Sequence, residues 1–142
     1  MKMRRTRTSI AVLALLLVGV LLTGCSVPTV HRTDVIGLWK HPSDPSQTVD
    51  IRSDGTFAIR NVSVGALHGD LPSPSIPYEQ NGTWLLDRST ESPRRHYLSL
   101  SGVNGDDHTF LYTFAIDGSG ATATIYLQLG GRYEGQRFEF KR

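Results

Sequence analysis

Residues 48–60 read Thr-Val-Asp-Ile-Arg-Ser-Asp-Gly-Thr-Phe-Ala-Ile-Arg, and this stretch decides the fold class. Apolar and polar side chains alternate over residues 48–52 and again over residues 56–60, which is the period of a β-strand with one buried face. Asp54 and Gly55 lie between the two runs, and an Asp-Gly pair in that place is a strong signal for a tight hairpin turn. The stretch therefore predicts two antiparallel strands joined by a short turn.

Short strand-like runs of the same kind occupy the rest of the chain after residue 34. They cover residues 35–39, 82–86, 97–100, 109–116, 121–129 and 137–140. Asp117-Gly-Ser-Gly120 joins the two longest runs as a second hairpin, and no long segment keeps the apolar period of a helix. The sequence therefore predicts an all-β fold, an antiparallel meander of about eight strands, which closes into a small barrel or, alternatively, packs as a β-sandwich.

One long interruption separates these runs, over residues 61–80. Any continuous helix or strand in it is broken by two glycines and three prolines: Gly65, Gly69, Pro72, Pro74 and Pro77. Loops of this length are uncommon in compact domains, and they are usually functional or disordered. Two roles stay open, a lid over the mouth of a barrel or a structural cover for a sheet edge. A lid would line its entrance with apolar and aromatic side chains: Leu67, Leu71, Ile76 and Tyr78.

The first 25 residues have the three-part composition of a secretory signal peptide. A cationic stretch over residues 1–8 precedes the apolar residues 10–22, and Thr23-Gly24-Cys25 follows. An α-helix of that apolar length rises about 20 Å, which is less than the roughly 30 Å hydrocarbon core of a bilayer. The stretch therefore favours a cleaved signal over a transmembrane anchor.

Leu22-Thr23-Gly24-Cys25 resembles the lipobox of bacterial lipoproteins, in which an aliphatic residue stands three positions before the cysteine. The resemblance implies cleavage before Cys25, a lipid on its sulfur and a further acyl chain on the new α-amine. Two chains hold a protein stably on a membrane, whereas one chain holds it only reversibly. Cys25 is also the only cysteine, so the chain has no internal disulfide. The alternative is an ordinary secretory signal with a chance cysteine after the cleavage site.

This interpretation divides the chain into three parts and gives it a location. Residues 1–24 are the signal peptide, residues 25–34 are the lipidated cysteine and a polar tether, and residues 35–142 form a single β domain. We expect this domain on the extracytoplasmic face of the cell membrane, to which the lipid anchors it.

The basic charge of the chain belongs to its first residues. Lys2, Arg4, Arg5 and Arg7 lie in the predicted signal, and their loss changes the formal net charge from +2 to about −2. The remaining Lys and Arg side chains are interspersed with Asp and Glu and form no basic stripe, so we expect no nucleic-acid partner.

Gly37-Leu38-Trp39 opens the first predicted strand and resembles the Gly-x-Trp signature of lipocalins and their calycin relatives. The resemblance implies a lipocalin-like barrel with this tryptophan at its closed end, beneath an arginine from the last strand, Arg137 or Arg142. Asp54-Gly-Thr-Phe57 and Gly82-Thr-Trp84 make the domain similar to small exported lipoproteins of actinobacteria, most of which have no assigned activity.

Residues able to carry catalysis or bind a metal are scattered through the sequence. None of the five histidines stands in a His-x-x-x-His pair, and a single cysteine excludes a Cys-x-x-Cys pair. Asp106-Asp107-His108 is the densest cluster, but it lacks the alternating carboxylates of a calcium loop and fits a solvated turn. No Gly-x-Ser-x-Gly motif is present. We therefore expect a protein that is not an enzyme and uses no metal or cofactor.

Two functional hypotheses remain. The first is a binding module whose barrel holds a small apolar ligand. Its candidate lining consists of aromatic side chains: Trp39, Phe57, Tyr78, Trp84, Phe110, Tyr112 and Phe114. The second is a cell-envelope interaction or structural protein with a filled core, whose partner is a protein or the cell wall. An empty apolar cavity would favour the first hypothesis, and a packed interior would favour the second.

Overall fold

The computed structural model describes residues 29–69, 77–88, 95–105, 107–130 and 135–142. The strands of this part of the chain are β1 Gly37–His41, β2 Asp44–Ile51, β3 Thr56–Ser63, β4 Pro77–Arg88, β5 His96–Val103, β6 Thr109–Asp117, β7 Thr124–Gln128 and β8 Arg137–Phe140. The helical segments are short: α1 Arg32–Val35, α2 Val64–Leu67 and a 3₁₀ helix at Gly120–Thr122.

All eight strands belong to one sheet, in the order of the sequence, and each neighbouring pair is antiparallel. Just after β8, Lys141 pairs with Lys40 of β1. The Lys40 amide donates to the Lys141 carbonyl over 2.8 Å, and the Lys141 amide donates to the Lys40 carbonyl over 2.9 Å. This contact, which we call the seam, nearly closes the sheet into a barrel. The predicted all-β antiparallel meander is therefore confirmed, as one curved sheet rather than the two sheets of a sandwich.

The hairpin that the sequence predicts is formed by β2 and β3. Ile51 lies opposite Phe57 in its ladder, and both side chains are buried. In the turn, the Asp54 carboxylate accepts hydrogen bonds from the amide and the hydroxyl of Thr56, over 2.9 and 2.7 Å. Gly55 has a φ of 91°, which a residue with a side chain rarely adopts. The Asp-Gly pair thus forms the predicted turn, because Asp54 accepts the turn hydrogen bonds and Gly55 adopts the positive φ.

The interior of the barrel is the hydrophobic core. Successive residues of a strand point to opposite faces, so alternate side chains enter the interior. Fully burying one large apolar side chain contributes about 1.5–3 kcal/mol, which makes this cluster the main source of stability. Its largest fully buried members are Val35, Trp39, Val49, Ile51, Phe57, Ile59, Val62, Leu98, Leu100, Phe114, Ile125 and Phe140.

The two ends of the barrel differ in structure. At one end, which we call the base, α1 and the 3₁₀ helix lie beside the β2–β3 turn and the residues after β8. At the other end, which we call the mouth, α2 lies across the opening. Ala66 and Leu67 of α2 are buried in the core, and the Gly130 amide, after β7, donates to the Gly69 carbonyl over 2.8 Å. The described beginning of the long loop is therefore a packed cover.

The segment predicted to be irregular, residues 61–80, is regular at both ends, and the prediction is wrong there. β3 continues to Ser63 and is followed by α2, while β4 begins at Pro77. A strand tolerates proline as its first residue, where no ladder hydrogen bond is lost. Asn61 has a left-handed φ of 56° where the register between β3 and β4 shifts. It therefore forms a β-bulge, beyond which β3 continues to Ser63. Two expected entrance residues lie outside the described residues, Leu71 and Ile76.

The start of the domain also differs in detail from the predicted boundaries. Within the predicted tether, Val30 is buried in the core and α1 begins at Arg32. β1 begins at Gly37, two residues later than expected, because Val35 ends α1. Cys25 and the predicted signal peptide lie outside the described residues. No helix in the part of the chain that is described has the length and apolar character needed to cross a membrane.

Candidate functional site

The seven aromatic side chains predicted to line a ligand cavity all lie on the interior side of the barrel. Three are fully buried and two more are at most 6% exposed: Trp39, Phe57, Phe114, Trp84 and Tyr112. Tyr78 and Phe110 are half-buried and pack against the core. The sequence therefore identified interior residues correctly, and their contacts decide whether they leave space for a ligand.

Most of these rings contact another ring. Phe110 stacks on Tyr112 with ring centres 5.0 Å apart, and Phe57 meets the edge of Phe110 at 6.3 Å. Phe114 of β6 makes a separate contact with Phe140 of β8, whose ring centre is 5.9 Å away. Edge-to-face and offset contacts at these distances are the favourable arrangements of packed aromatic rings. These rings occupy the part of the interior in which a ligand was expected.

Trp39 and Trp84 lie apart from this cluster, at the base. The indole N–H of Trp39 donates to the carbonyl of Val35 over 2.8 Å, and the guanidinium of Arg142 lies over the ring at 4.8 Å from its centre. Arg142 also donates a hydrogen bond to the carbonyl of Gly120 in the 3₁₀ helix. Arg142, and not Arg137, therefore has the position that the Gly-x-Trp resemblance implies.

The second Gly-x-Trp tripeptide is held in the same way. The indole N–H of Trp84 donates to the carbonyl of Arg52 over 2.8 Å, and the guanidinium of Arg32 lies 4.1 Å above its ring. A cation over an aromatic face is attracted by the ring quadrupole. Sequence analysis missed Arg32 because its position falls in the predicted tether. The base is thus closed by two stacked Arg–Trp pairs, each with its indole hydrogen bond satisfied.

Arg137 has a different environment from Arg142. Its guanidinium lies 4.2 Å above the ring of Tyr126 and forms an ion pair with Asp117 at 3.2 Å. Both side chains of that ion pair are well exposed, so the pair contributes little to stability. Arg137 belongs to the outer surface of the barrel.

The mouth contains a group of aromatic side chains that carry polar atoms. The hydroxyl of Tyr112 donates to the hydroxyl of Tyr78 over 3.3 Å, and the ring of His68 meets Tyr112 edge-on at 6.1 Å. Burial, together with the hydrogen bond to Tyr78, raises the pKa of Tyr112 well above its ordinary value. Tyr112 therefore stays a neutral phenol and can donate or accept a hydrogen bond.

Several buried polar atoms near the mouth lack a partner within the described structure. They are Nδ1 of His41, Oε1 of Gln47 and Oγ of Ser63. His41 stacks on Phe138 at 4.4 Å, and burial lowers its pKa despite the nearby Asp44 carboxylate. A buried polar atom without a hydrogen bond costs about 1–3 kcal/mol, so these atoms are candidates for binding water or a small polar group.

The described residues hold no group of three or more His, Cys, Asp or Glu side chains placed to bind a metal ion. In the cluster that the sequence singles out, Asp107 and His108 are exposed, and Asp106 lies outside the described residues.

Comparison with known proteins gives no family to which these features can be assigned. No family model, no curated protein and no solved structure matches the chain.

Proposed function

We propose that this chain is the precursor of a lipoprotein that is anchored through Cys25 on the extracytoplasmic face of the cell membrane, where its barrel is a non-enzymatic interaction module. The observation that carries the proposal is the packing of aromatic rings inside the barrel. Phe57, Phe110, Tyr112 and Phe114 pack against other rings, which favours a partner bound on the outside of the barrel over an apolar ligand among these rings. The two Arg–Trp pairs at the base make the barrel a rigid support for such a surface.

The outer side of β4, β5 and β6 supports this proposal. Leu85 and Leu111 are 57% and 65% exposed there. One charged side chain, Asp87, lies beside Leu85 and accepts a hydrogen bond from the Ser99 hydroxyl over 2.9 Å. The other neighbours on the same side of the sheet carry no charge: Thr83, Ser99, Ser101, Val103, Thr109 and Thr113. We call this surface the neutral face. The centres of protein interfaces are depleted in charged residues, and the uncharged centre of this face around Leu111 suits a partner of the cell envelope.

A second candidate function is the binding of a small ligand at the mouth. It is favoured by the unpartnered polar atoms of His41, Gln47 and Ser63 among the described residues, and by the paired hydroxyls of Tyr78 and Tyr112. Such a ligand would carry polar groups as well as an apolar part, because both kinds of surface meet there.

Intact-mass measurement of the full chain after expression in a bacterial host tests the anchor. We expect loss of residues 1–24 and a mass increase that corresponds to acyl chains on Cys25. Cys25→Ser should abolish this increase and release the protein from membranes. Membrane retention of the Ser variant would contradict the lipid anchor.

Photo-crosslinking in cells tests the interaction module. A photoreactive residue at Leu111, on the neutral face, should capture a discrete envelope component, and the same residue at exposed Arg88, on the edge of the base, should not. Native mass spectrometry of the lipidated chain provides the complementary measurement. A small molecule that copurifies in equimolar amount would favour the mouth as the binding site instead.

A further inference from the structure

The outer surface of the first three strands contains a groove that neither functional hypothesis anticipated. Its volume is about 440 Å³, within the range of roughly 300–1,000 Å³ that is typical of small-molecule sites. Six residues line it: Leu38, Ser46, Thr48, Asp50, Arg60 and Asn61. The groove lies outside the barrel interior and on different strands from the neutral face.

Two irregularities shape this groove. The register between β1 and β2 shifts after Lys40, and the register between β3 and β4 shifts around Asn61. Bulges of this kind bend a strand and increase its twist. Asn61 donates from its side-chain amide to the Ser46 carbonyl over 3.1 Å, and Asp44 accepts hydrogen bonds from the amide and hydroxyl of Ser46. One wall of the groove is therefore fixed by side-chain hydrogen bonds.

The charges around the groove are unequally matched. Asp50 pairs with Arg52 at 2.9 Å, and Glu139 lies 3.8 Å from Lys141. Within the described structure, Lys40 and Arg60 have no ion pair, and the register places them on either side of Thr48.

Lys40 also stands directly opposite Lys141 across the seam. Like charges in such cross-strand positions destabilise a sheet. Glu139 offsets the charge of Lys141, so the cations that the stability of the barrel does not explain are Lys40 and Arg60. An anionic ligand bound between them would explain both.

We infer that this groove binds an anionic sugar unit, one that carries a carboxylate or a phosphate, as part of a cell-envelope polymer. The inference rests on the proposed function and names the chemistry of one partner. Arg60 supplies two parallel N–H donors to the anion, which is the arrangement that guanidinium groups offer to carboxylates and phosphates.

The other lining groups favour a sugar over a bare anion. Asp50 would repel an isolated phosphate, but its carboxylate accepts hydrogen bonds from sugar hydroxyls. Thr48 both donates and accepts, and Leu38, which is 46% exposed, offers an apolar surface to the C–H face of a sugar ring.

Isothermal titration of the full lipidated chain in detergent tests the inference with defined probes. A galacturonic acid tetramer supplies carboxylates, galactose 1-phosphate supplies a phosphate, and a neutral galactose tetramer is the reference. We expect at least one acidic probe to bind more tightly than the neutral tetramer and to lose affinity as salt is added, because added salt screens exposed charges. Inorganic phosphate should bind more weakly than the acidic sugar.

Matched variants locate the site. Arg60→Gln should weaken binding of the acidic probe about tenfold, the size expected for one lost charge-assisted hydrogen bond. Thr48→Val should weaken it less, and Arg88→Gln, which removes an exposed arginine elsewhere, should leave it unchanged. Thermal unfolding of each variant checks that the barrel is intact.

Equal affinity for the neutral tetramer, or equal losses in Arg60→Gln and Arg88→Gln, would overturn the inference. So would the absence of binding by both acidic probes. If crosslinking through Leu111 still captures an envelope component in that case, the groove inference fails while the proposed function stands. Loss of both results would refute both.

Discussion

At the scale of single residues, the two tryptophans show how a surface cation can stabilise a buried ring. Trp39 lies beneath Arg142 and Trp84 beneath Arg32, and each indole N–H reaches a backbone carbonyl. The aliphatic stem of arginine covers apolar surface while its charged end stays near water. Each arginine thus closes the base without bringing an unpaired charge into the core.

Arg142→Gln should lower the free energy of unfolding by about 1–2 kcal/mol, because it removes the cation above Trp39 and the hydrogen bond to Gly120. Urea unfolding followed by tryptophan fluorescence measures this change. Arg137→Gln is the matched control, because it also removes a cation from above a ring, that of Tyr126. Its effect should be smaller, since Arg137 otherwise makes only an exposed ion pair and donates no hydrogen bond to the backbone of the base. Equal effects of the two substitutions would contradict the assignment of Arg142 to the base.

Asn61 offers a second test at this scale. Its φ of 56° is costly for most side chains by about 1–2 kcal/mol, whereas glycine adopts it freely. Asn61→Ala and Asn61→Gly both lose the hydrogen bond to Ser46, but only alanine keeps a Cβ in the left-handed region. We expect the alanine variant to be less stable than the glycine variant by about 1 kcal/mol. The reverse order in chemical unfolding would show that the bulge has another conformation.

At the scale of elements, the sequence predicted the strands and turns that depend on the local alternation of apolar and polar residues. The alternation around Asp54 and Gly55 specified the β2–β3 hairpin, and every predicted strand is present, β8 with the predicted bounds and the others with shifted ends. The prediction failed at Asn61 and Pro77. Local sequence rules place such residues in loops, whereas here Asn61 forms a bulge within β3 and Pro77 is the first residue of β4.

The groove and the Arg32–Trp84 pair were not predictable in this way. Arg32 and Trp84 are far apart in sequence, and the residues around each of them form no pattern that predicts the contact. The groove depends on two bulges and on the register of three strands, which appear only once the strands pair.

Gly82, the first residue of the second Gly-x-Trp tripeptide, is required by packing. A Cβ at this position would clash with the carbonyl of Ser101 on β5 and would lie 2.9 Å from the ring of Phe57. Gly82→Ala should therefore destabilise the barrel by about 1–3 kcal/mol, as overpacking of a core does. Gly105→Ala is the control, since a Cβ there meets no atom within 4 Å. Similar melting temperatures for the two variants would argue against this packing.

At the scale of the whole molecule, the stability of the barrel should vary with pH through two histidines whose neutral form is favoured by burial, His41 and His96. Burial lowers the pKa of His96, and the charge of Arg88 lowers it further. Burial also lowers the pKa of His41, against the opposing effect of Asp44. Since unfolding restores the ordinary value near 6.5, the unfolded chain binds more protons than the folded chain below that pH.

The free energy of unfolding should therefore be at its full value above about pH 6.5 and should fall as the pH drops below it. Urea unfolding at several pH values measures this slope. His96→Gln should flatten the slope, because one of the responsible groups is gone. A stability that rises on acidification would contradict the burial of neutral imidazoles.

The seam between Lys40 and Lys141 has a consequence for the order of folding. Seven strand pairings join neighbours in sequence and close short loops, whereas the seam closes a loop that contains almost the entire barrel. As the chain emerges from the ribosome or a membrane channel, one edge of β1 stays unpaired until the residues after β8 have emerged and can pair with it. An unpaired edge can join the strand of another molecule. Delayed completion of this barrel therefore exposes it to aggregation through its first strand, and rapid delivery of its final strand protects it.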